Sequence, residues 1–251
     1  MKMTTELKTI WDNQYTGVGD TALKDRNLFR LEIQAIIKHV ENNLAGREEI
    51  ALLELGCGTG YLIKEISNHF APRGIKVISI GVDFSENAIA EASQRNVPFS
   101  RFISSDFFAF FNGTKTHFDF IITQRSLMAL LTRTDQKALL ALIKASFAPN
   151  GIGIFSECFE EQYIKINSLR KIMGVGDLMK VWHSMYLCES DLTGLFSTVE
   201  FDDFCSSYML ITRIIYPYFE DPLHNQKIHD LAASFPQCGD FGFLRIAKVG
   251  P

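Results

Sequence analysis

The residues with the clearest chemical potential form a glycine-rich turn, Leu-Glu-Leu-Gly-Cys-Gly-Thr-Gly-Tyr, between Leu53 and Tyr61. Glycines let the backbone turn tightly and approach a ligand without a Cβ atom in the way. The helix predicted to follow offers free N–H groups and partial positive charge at its first turn. The spacing is G-x-G-x-G with Glu54 ahead of it, whereas a dinucleotide site has G-x-G-x-x-G, whose third glycine would fall on Tyr61. Glycine turns close many strands, so this turn alone does not define a ligand.

Two further carboxylates lie where later apolar runs end. Asp83 ends the run after the glycine turn, about 20 residues on, where it is placed to accept both hydroxyls of an unphosphorylated ribose. Asp106 ends the next run and can accept a hydrogen bond from an adenine amino group while Phe84 or Phe107 packs on the ring. Taken singly, each acid is typical of a helix N-cap. Acids at three successive strand ends are hard to explain as caps alone and favour a nucleoside-type ligand.

The elements that must position these residues alternate in type along the chain. Helical spacing of apolar residues and short apolar runs bounded by turns predict helices at 28–44, 61–70, 85–94 and 135–147, and strands at 50–55, 77–82, 99–104, 118–123 and 152–156. Helices that alternate with strands favour parallel β-α-β units, because the crossover helices cover both faces of the sheet.

This alternation stops after Glu157. Residues 158–185 are predicted as a helical insertion, 189–196 and 224–234 as helices, and 198–204, 208–216 and 243–249 as segments rich in β-formers. We expect 208–218 to be a core strand that Pro217 ends. Consecutive strands in such a tail often add an antiparallel edge to a parallel sheet. The sequence thus predicts one α/β domain with an amino-terminal segment 1–45, a core 46–157, an insertion 158–196 and carboxyl-terminal strands 197–251.

Composition narrows the possible classes of protein. The chain has 251 residues, of which 47% are hydrophobic, and this suits one domain with a sizeable core. A formal charge of −4 gives no reason to expect a nucleic-acid partner. The five cysteines are scattered without a C-x-x-C pair, so neither a disulfide framework nor a metal site is predicted. The polar amino terminus and the lack of a long apolar run favour a cytoplasmic protein that does not enter the membrane, either monomer or homodimer.

Five segments, taken in order, resemble the motifs of the class I S-adenosylmethionine-dependent methyltransferases. They cover about residues 50–157 and read ALLELGCGTGYLIKEIS, VISIGVDFSENAIAEA, FISSDFF, FDFIITQRSL and ALIKASFAPNGIGIFSE. The resemblance implies a Rossmann-like, mostly parallel seven-stranded sheet with an antiparallel last strand, helices on both faces and a helical insertion or lid. It also implies S-adenosylmethionine as cofactor and S-adenosylhomocysteine as product. The sequence departs from the family at Asn150, where a glycine is usual, and this affects a turn rather than the chemistry.

The resemblance also assigns roles to individual residues around the cofactor. The glycine turn would lie under the methionine part, Asp83 would bind the ribose hydroxyls, and Asp106 with its neighbours would bind adenine. Thr123 and Gln124, at the end of the fourth strand, would contact the methionine amino group. The full predicted cofactor set is Glu54, Gly56, Cys57, Gly58, Gly60, Asp83, Phe84, Ser105, Asp106, Phe107, Thr123 and Gln124.

The methyl acceptor is indicated less directly. Transfer from a sulfonium needs a general base only when the acceptor must lose a proton, so the family implies no universal catalytic residue. The segment Thr123-Gln124-Arg125-Ser126 lacks the Asn/Asp-Pro-Pro-Tyr/Phe signature of enzymes that methylate planar amides or base amino groups. A Pro-Cys nucleophile pair is also missing. We therefore expect an O- or N-methyltransferase of a small molecule, with a tRNA or protein methyltransferase and a non-catalytic cofactor-binding scaffold as alternatives.

Several residues are candidates for the acceptor site, each with ordinary packing or solvation as its alternative. His183 is a candidate general base, because histidine is the side chain that most often has this role. Arg125 and Arg170 can recognise a carboxylate or phosphate. The aromatic and apolar candidates for the pocket wall are Trp11, Tyr15, Trp182, Met185 and Tyr186. Residues 1–27 and 158–185 hold both tryptophans and are expected to form a lid over the acceptor.

Overall fold

A single mixed sheet forms the centre of the computed structural model, which describes residues 23–217 and 222–251. Its strands are β1 (Glu49–Leu55), β2 (Lys76–Asp83), β3 (Ser100–Ser104), β4 (Phe118–Gln124), β5 (Phe147–Cys158), β6 (Thr198–Asp202) and β7 (Leu244–Gly250). They lie in the order β3-β2-β1-β4-β5-β7-β6. Strands β1 to β5 pair in parallel, whereas β7 runs antiparallel to both β5 and β6. The predicted fold class, including the antiparallel last strand, is confirmed.

Helices connect these strands and pack on both faces of the sheet. They are α1 (Arg26–Asn42), α2 (Tyr61–Phe70), α3 (Glu86–Gln94), α4 (Phe107–Gly113), α5 (Arg133–Ala145), α6 (Glu160–Ile172), α7 (Glu189–Thr193), α8 (Ser206–Met209) and α9 (Pro222–Ser234). No helix within the described ranges is long and apolar enough to cross a membrane.

The hydrophobic core has two layers, one on each face of the sheet. Leu52 and Ile122 belong to one cluster with α1 and α2, while their neighbours Leu53 and Ile121 belong to the other with α4 and α5. Successive strand residues point to opposite faces, so a strand that is covered on both sides must be apolar at nearly every position. This is why the buried strands read as continuous apolar runs.

Polar residues begin several of these helices as N-caps. Asp25 accepts a hydrogen bond from the Leu28 amide at the start of α1, and Ser85 accepts one from Ala88 at the start of α3. Asp106 caps α4, and Thr132 caps α5. Such caps satisfy backbone N–H groups that have no partner inside the helix. They fix where each helix begins, and therefore where each connection from the preceding strand passes.

The carboxyl-terminal third differs from its prediction. The predicted strand at 208–216 is wrong: α8 occupies Ser206–Met209 and continues as a π-helix over Leu210–Ile215. This segment packs against α6 and α9 rather than beside a strand, and β-propensity has little effect without a pleated partner surface. The helix predicted to fill 158–185 ends at Ile172, and the chain from there to Cys188 contains no further helix.

Candidate functional site

The glycine turn adopts the backbone that its sequence predicts. Gly56, Gly58 and Gly60 have φ angles of 75°, 50° and 71°, in the left-handed region that side chains disfavour. A Cβ atom on Gly56 would lie 2.3 Å from the Cβ of Ser126 at the end of β4, which is far inside contact distance. Glycine is therefore required here both for the turn and for the close approach of β4.

Asp83 joins this turn to the end of β2. Its carboxylate is buried, with Oδ2 accepting a hydrogen bond from the Gly58 amide and Oδ1 accepting one from the Ser85 amide, both at 2.9 Å. Asp83 thus fixes the turn against the end of β2, and its predicted contact with ribose hydroxyls stays a prediction.

A small cavity of about 40 Å³ opens beside Asp83. Phe84 and Phe107 form the aromatic part of its lining, and their predicted packing on an adenine ring stays a prediction. Its remaining lining comes from Gly56, Asp83, Gln124, Arg125, Ser126 and Ala129. Of the described residues that line it, Arg125 is the sole cation.

Asp106 and Ser105 lie next to this cavity without lining it. Asp106 Oδ1 accepts hydrogen bonds from the amides of Phe108 and Ala109, so its N-cap role is established by geometry. Ser105 Oγ donates to the Asp106 carbonyl oxygen at 3.0 Å. The predicted adenine contact of Asp106 stays a prediction.

A larger cavity of about 400 Å³ adjoins the small one. The two share Gly56, Gln124 and Arg125. Its wall is largely apolar and is assembled from α1, the glycine turn, β4 and the carboxyl-terminal third: Leu23, Leu28, Phe29, Cys57, Tyr61, Leu62, Met128, Cys158, Val181, Met209, Phe243 and Leu244, with His183, Ser184, Tyr186 and Arg213 among its polar members. A cavity of this size and polarity is typical of a small-molecule site.

Buried acids lie at the carboxyl ends of β1 and β5. Burial raises the pKa of Glu54 well above its usual value, and the nearby charges of Asp83 and Glu32 raise it further. Burial likewise raises the pKa of Glu157 to about 7, although backbone amides, including those of Leu127 and Ser126, oppose the shift. Thr123, a predicted cofactor residue, is also fully buried and lines neither cavity. Burial raises the pKa of the Cys57 thiol, and the charges of Asp83 and Glu54 raise it further, so this thiol stays protonated.

Arg125 occupies the junction of the two cavities in an unusual conformation. Its φ of 55° lies in the left-handed region, and its amide donates to the Ser156 carbonyl oxygen at 2.8 Å. Its Nη2 lies 3.3 Å from Oε2 of Glu32, a carboxylate on α1 with no exposed surface. Ser156 Oγ donates to the other oxygen of Glu32 at 2.6 Å. Glu32 of α1 thereby holds the Arg125 guanidinium in position.

The structure brings some of the predicted acceptor residues together and leaves others apart. His183 and Tyr186 line the larger cavity, where the Tyr186 ring stacks on Phe243 at a centroid distance of 6.1 Å. Trp182 is 63% exposed and lies outside both linings. Arg170 is buried, and it donates to the backbone carbonyl oxygens of Gly176 and Arg213 instead of facing a cavity. Trp11 and Tyr15 lie outside the described residues, and Met185 lines neither cavity.

Sequence patterns did not indicate Glu32 or Arg213. A signal for Glu32 existed, since it lies between Leu28 and Ile36 at helical spacing on the apolar face of α1, where a charge is unexpected. Arg213 lay in the segment that was predicted as a strand, so its position at the cavity could not be inferred. Its Nη2 donates to Asp25, the cap of α1, and this links α1 to the π-helix.

Comparisons with known proteins agree with this geometry. A sequence model of the methyltransferase domain family matches residues 52–151. The malonyl-[acyl-carrier protein] O-methyltransferase of Bacillus anthracis is 27% identical over 162 residues, which span 64% of this chain and only 57% of that protein.

Solved structures show a likeness of fold. The magnesium protoporphyrin IX methyltransferase ChlM of Synechocystis PCC 6803 aligns with a TM-score of 0.57 at 14% identity, over 98% of this chain and 94% of its own. The N-methyltransferase NodS of Bradyrhizobium japonicum WM9 aligns with a TM-score of 0.57 at 18% identity, over 78% and 87% of the two chains.

The sheet order and the cavities at the carboxyl ends of the parallel strands define an α/β protein with a ligand site at its topological switch point. The matched domain, residues 52–151, contains the glycine turn and the acids Glu54, Asp83 and Asp106, and this part of the chain is similar to methyltransferases.

Proposed function

We propose that the protein transfers a methyl group from S-adenosylmethionine to an oxygen or nitrogen atom of a small-molecule acceptor and releases S-adenosylhomocysteine. The observation that carries this proposal is the pair of cavities that meet at Gly56, Gln124 and Arg125. One cavity has the lining expected for a nucleoside, and the other is a larger, mostly apolar space. A methyl donor and its acceptor need adjacent sites of this kind.

The residues of the small cavity fit the cofactor. Asp83 contributes a carboxylate to the lining, a group that accepts hydrogen bonds from ribose hydroxyls, and Phe84 and Phe107 offer apolar faces to a planar base. The left-handed glycines bring bare backbone to the junction, where the amino-acid part would be held. The cofactor supplies the activated methyl group on its sulfonium.

The protein contributes chiefly by holding the acceptor in line with that methyl group. Fixing two reactants in a near-attack geometry supplies roughly 7–11 kcal/mol in favourable cases. The larger cavity provides this positioning, and its apolar wall keeps bulk water from the reacting atoms. His183, which lines it, is our candidate base for an acceptor that must lose a proton.

Oxygen is the first acceptor atom to test. The Bacillus anthracis relative is named an O-methyltransferase of a malonyl group, and a carboxylate acceptor is already ionised at neutral pH. A carboxylate therefore needs no base, and His183 would not be required for such an acceptor. We retain residues 158–185 as a proposed lid, since methyl transfer benefits from exclusion of water. The other predicted lid segment, residues 1–27, lies mostly outside the described residues.

The experiment is a turnover assay with labelled S-adenosylmethionine and separate pools of small carboxylic acids, phenols, amines and tRNA. We expect label in a small acid, phenol or amine, together with S-adenosylhomocysteine. Transfer to tRNA alone would contradict the small-molecule assignment. Tight binding of S-adenosylhomocysteine with no transfer to any pool would support a cofactor-binding scaffold instead.

A further inference from the structure

Arg125 presents donors that the fold itself does not use. Its Nε is buried and donates no hydrogen bond to any residue within 23–217 or 222–251. Only its Nη2 is placed opposite Glu32, and a guanidinium carries five N–H donors. A buried donor without an acceptor destabilises the fold, so a side chain held in this state is expected to meet a ligand.

The electrostatics of the site indicate the charge of that ligand group. Glu54, Asp83 and Glu157 are buried acids at the ends of β1, β2 and β5. Among these acidic residues, an anionic ligand group would be attracted to Arg125, the sole cation among the described residues of the small cavity. A carboxylate also matches the planar fork of a guanidinium better than any other common anion except phosphate.

The position of Arg125 identifies which carboxylate this is. Arg125 lines both cavities and shares their junction with Gly56, the first glycine of the glycine turn. If the proposed function is correct, the amino-acid part of the cofactor lies at this junction, between the nucleoside and the acceptor. We propose that Arg125 binds the α-carboxylate of S-adenosylmethionine and that Glu32 is the positioning residue that holds the guanidinium in place.

The local structure supports a dedicated role for this pair. A non-glycine residue in the left-handed region costs free energy and persists where the surroundings hold it, often at ligand sites. Here the Arg125 amide is held by Ser156 and its side chain by Glu32, whose second oxygen is held by the Ser156 hydroxyl. Residues of strand β5 and helix α1 thus together hold the Arg125 guanidinium in one position.

Binding of two ligands that differ only in this carboxylate tests the proposal. Calorimetry would compare S-adenosylhomocysteine with its decarboxylated analogue on the full chain and on Arg125→Met. We expect the substitution to lower the affinity for S-adenosylhomocysteine about 10- to 100-fold, because a charge-assisted hydrogen-bonded pair is lost. The affinity for the decarboxylated analogue should change by less than about 3-fold, since this analogue has no carboxylate for Arg125 to bind.

Further variants separate this role from general stability. Arg101→Met is the matched control, because Arg101 lies exposed on edge strand β3 and lines neither cavity, and it should change neither affinity. If Arg125→Met fails to fold because Glu32 is left buried and unpaired, Arg125→Lys keeps the charge. We expect this variant to lose part of the affinity for S-adenosylhomocysteine alone, since lysine lacks the fork.

Glu32→Gln tests the positioning role. This variant should lower the affinity for S-adenosylhomocysteine more than the affinity for the decarboxylated analogue. In the Arg125→Met background it should cause no further loss of affinity. Equal weakening of both ligands by Arg125→Met, or unchanged affinity for S-adenosylhomocysteine, would overturn the proposal. Failure of the wild-type protein to bind either ligand would instead contradict the proposed function on which it rests.

Discussion

The proposed cofactor side of the site, around the glycine turn and the small cavity, and the proposed acceptor side, around the larger cavity, are built in different ways. On the cofactor side, hydrogen bonds between side chains and backbone connect the strand ends and one turn. The Gly58 amide donates to Asp83, and the Ser126 hydroxyl donates to the Leu55 carbonyl oxygen. On the acceptor side, side chains from separate elements meet by packing, as Tyr186 does with Phe243. The first side is specified locally by sequence, and the second depends on how distant elements dock.

The two sides also differ in exposure. Ile172, Met179 and Trp182, on the segment beside the acceptor cavity, are 80%, 85% and 63% exposed. The strand-end residues Asp83, Thr123 and Glu157 are buried. Substitutions on the cofactor side should therefore have large effects that can be assigned to single contacts.

Gly56→Ala should have the largest effect. The added Cβ meets Ser126 at 2.3 Å and φ is 75°, so the turn must shift away from the cofactor. We expect S-adenosylhomocysteine affinity to fall by about 100-fold or more and unfolding free energy to fall by about 1–3 kcal/mol. Calorimetry and denaturant unfolding measure the two quantities.

Gly74→Ala is the control for this substitution. Gly74 also has a φ of 75°, but nothing lies within 4 Å of its added Cβ. It should lower unfolding free energy by about 1–2 kcal/mol and leave cofactor affinity unchanged. Similar affinity losses in both variants would show that backbone strain, rather than the approach of β4 to the turn, controls binding.

Glu157→Gln should change how stability depends on pH. Burial raises the pKa of Glu157 from 4.5 to about 7 in the folded protein, so between these values the folded state holds a proton that the unfolded chain has lost. The contribution of Glu157 to stability is complete below pH 4.5 and is lost as the pH rises to 7.

The variant lacks this titration and keeps an oxygen for the Ser126 and Leu127 amides. Between pH 4.5 and 7 the unfolding free energy of the variant should therefore rise relative to the wild type by roughly 3 kcal/mol. Denaturant unfolding at several pH values measures this difference. A difference that does not vary with pH would mean that Glu157 titrates normally.

Asp83→Ala should have a smaller effect on binding than Gly56→Ala. Loss of the charged acceptor for the ribose should lower the affinity for S-adenosylhomocysteine about 10- to 100-fold. Asp119→Ala is the matched control, because Asp119 also accepts a backbone amide, that of Ala51 at 2.8 Å, and lines neither cavity. Both variants should be destabilised, but only Asp83→Ala should bind the cofactor more weakly; equal affinities would reject the ribose assignment.

Much of the cofactor side could be predicted because its signals are local. The helix predicted at Tyr61–Phe70 has the observed ends, and the strands that carry Glu54, Asp83 and Gln124 lie where apolar runs indicated them. Turn glycines, strand periodicity and N-caps act over a few residues, so one sequence reveals them.

The acceptor side could not be predicted in the same way. Arg213 reaches the cavity because 206–215 is helical, whereas its β-branched and aromatic residues suggested a strand. The role of Glu32 can be recognised only from its position beside Arg125, which is distant in sequence. Tertiary packing decides both outcomes, and it overrides local propensity.

The central claim is that the glycine turn and strand-end acids form a site for S-adenosylmethionine and not for a dinucleotide. Calorimetric titration of the wild-type protein with S-adenosylhomocysteine and with NAD, under identical conditions, tests it most directly. The G-x-G-x-G spacing and the small cavity beside Asp83 predict that S-adenosylhomocysteine binds and NAD does not. Tighter binding of NAD than of S-adenosylhomocysteine would contradict the assignment of the site.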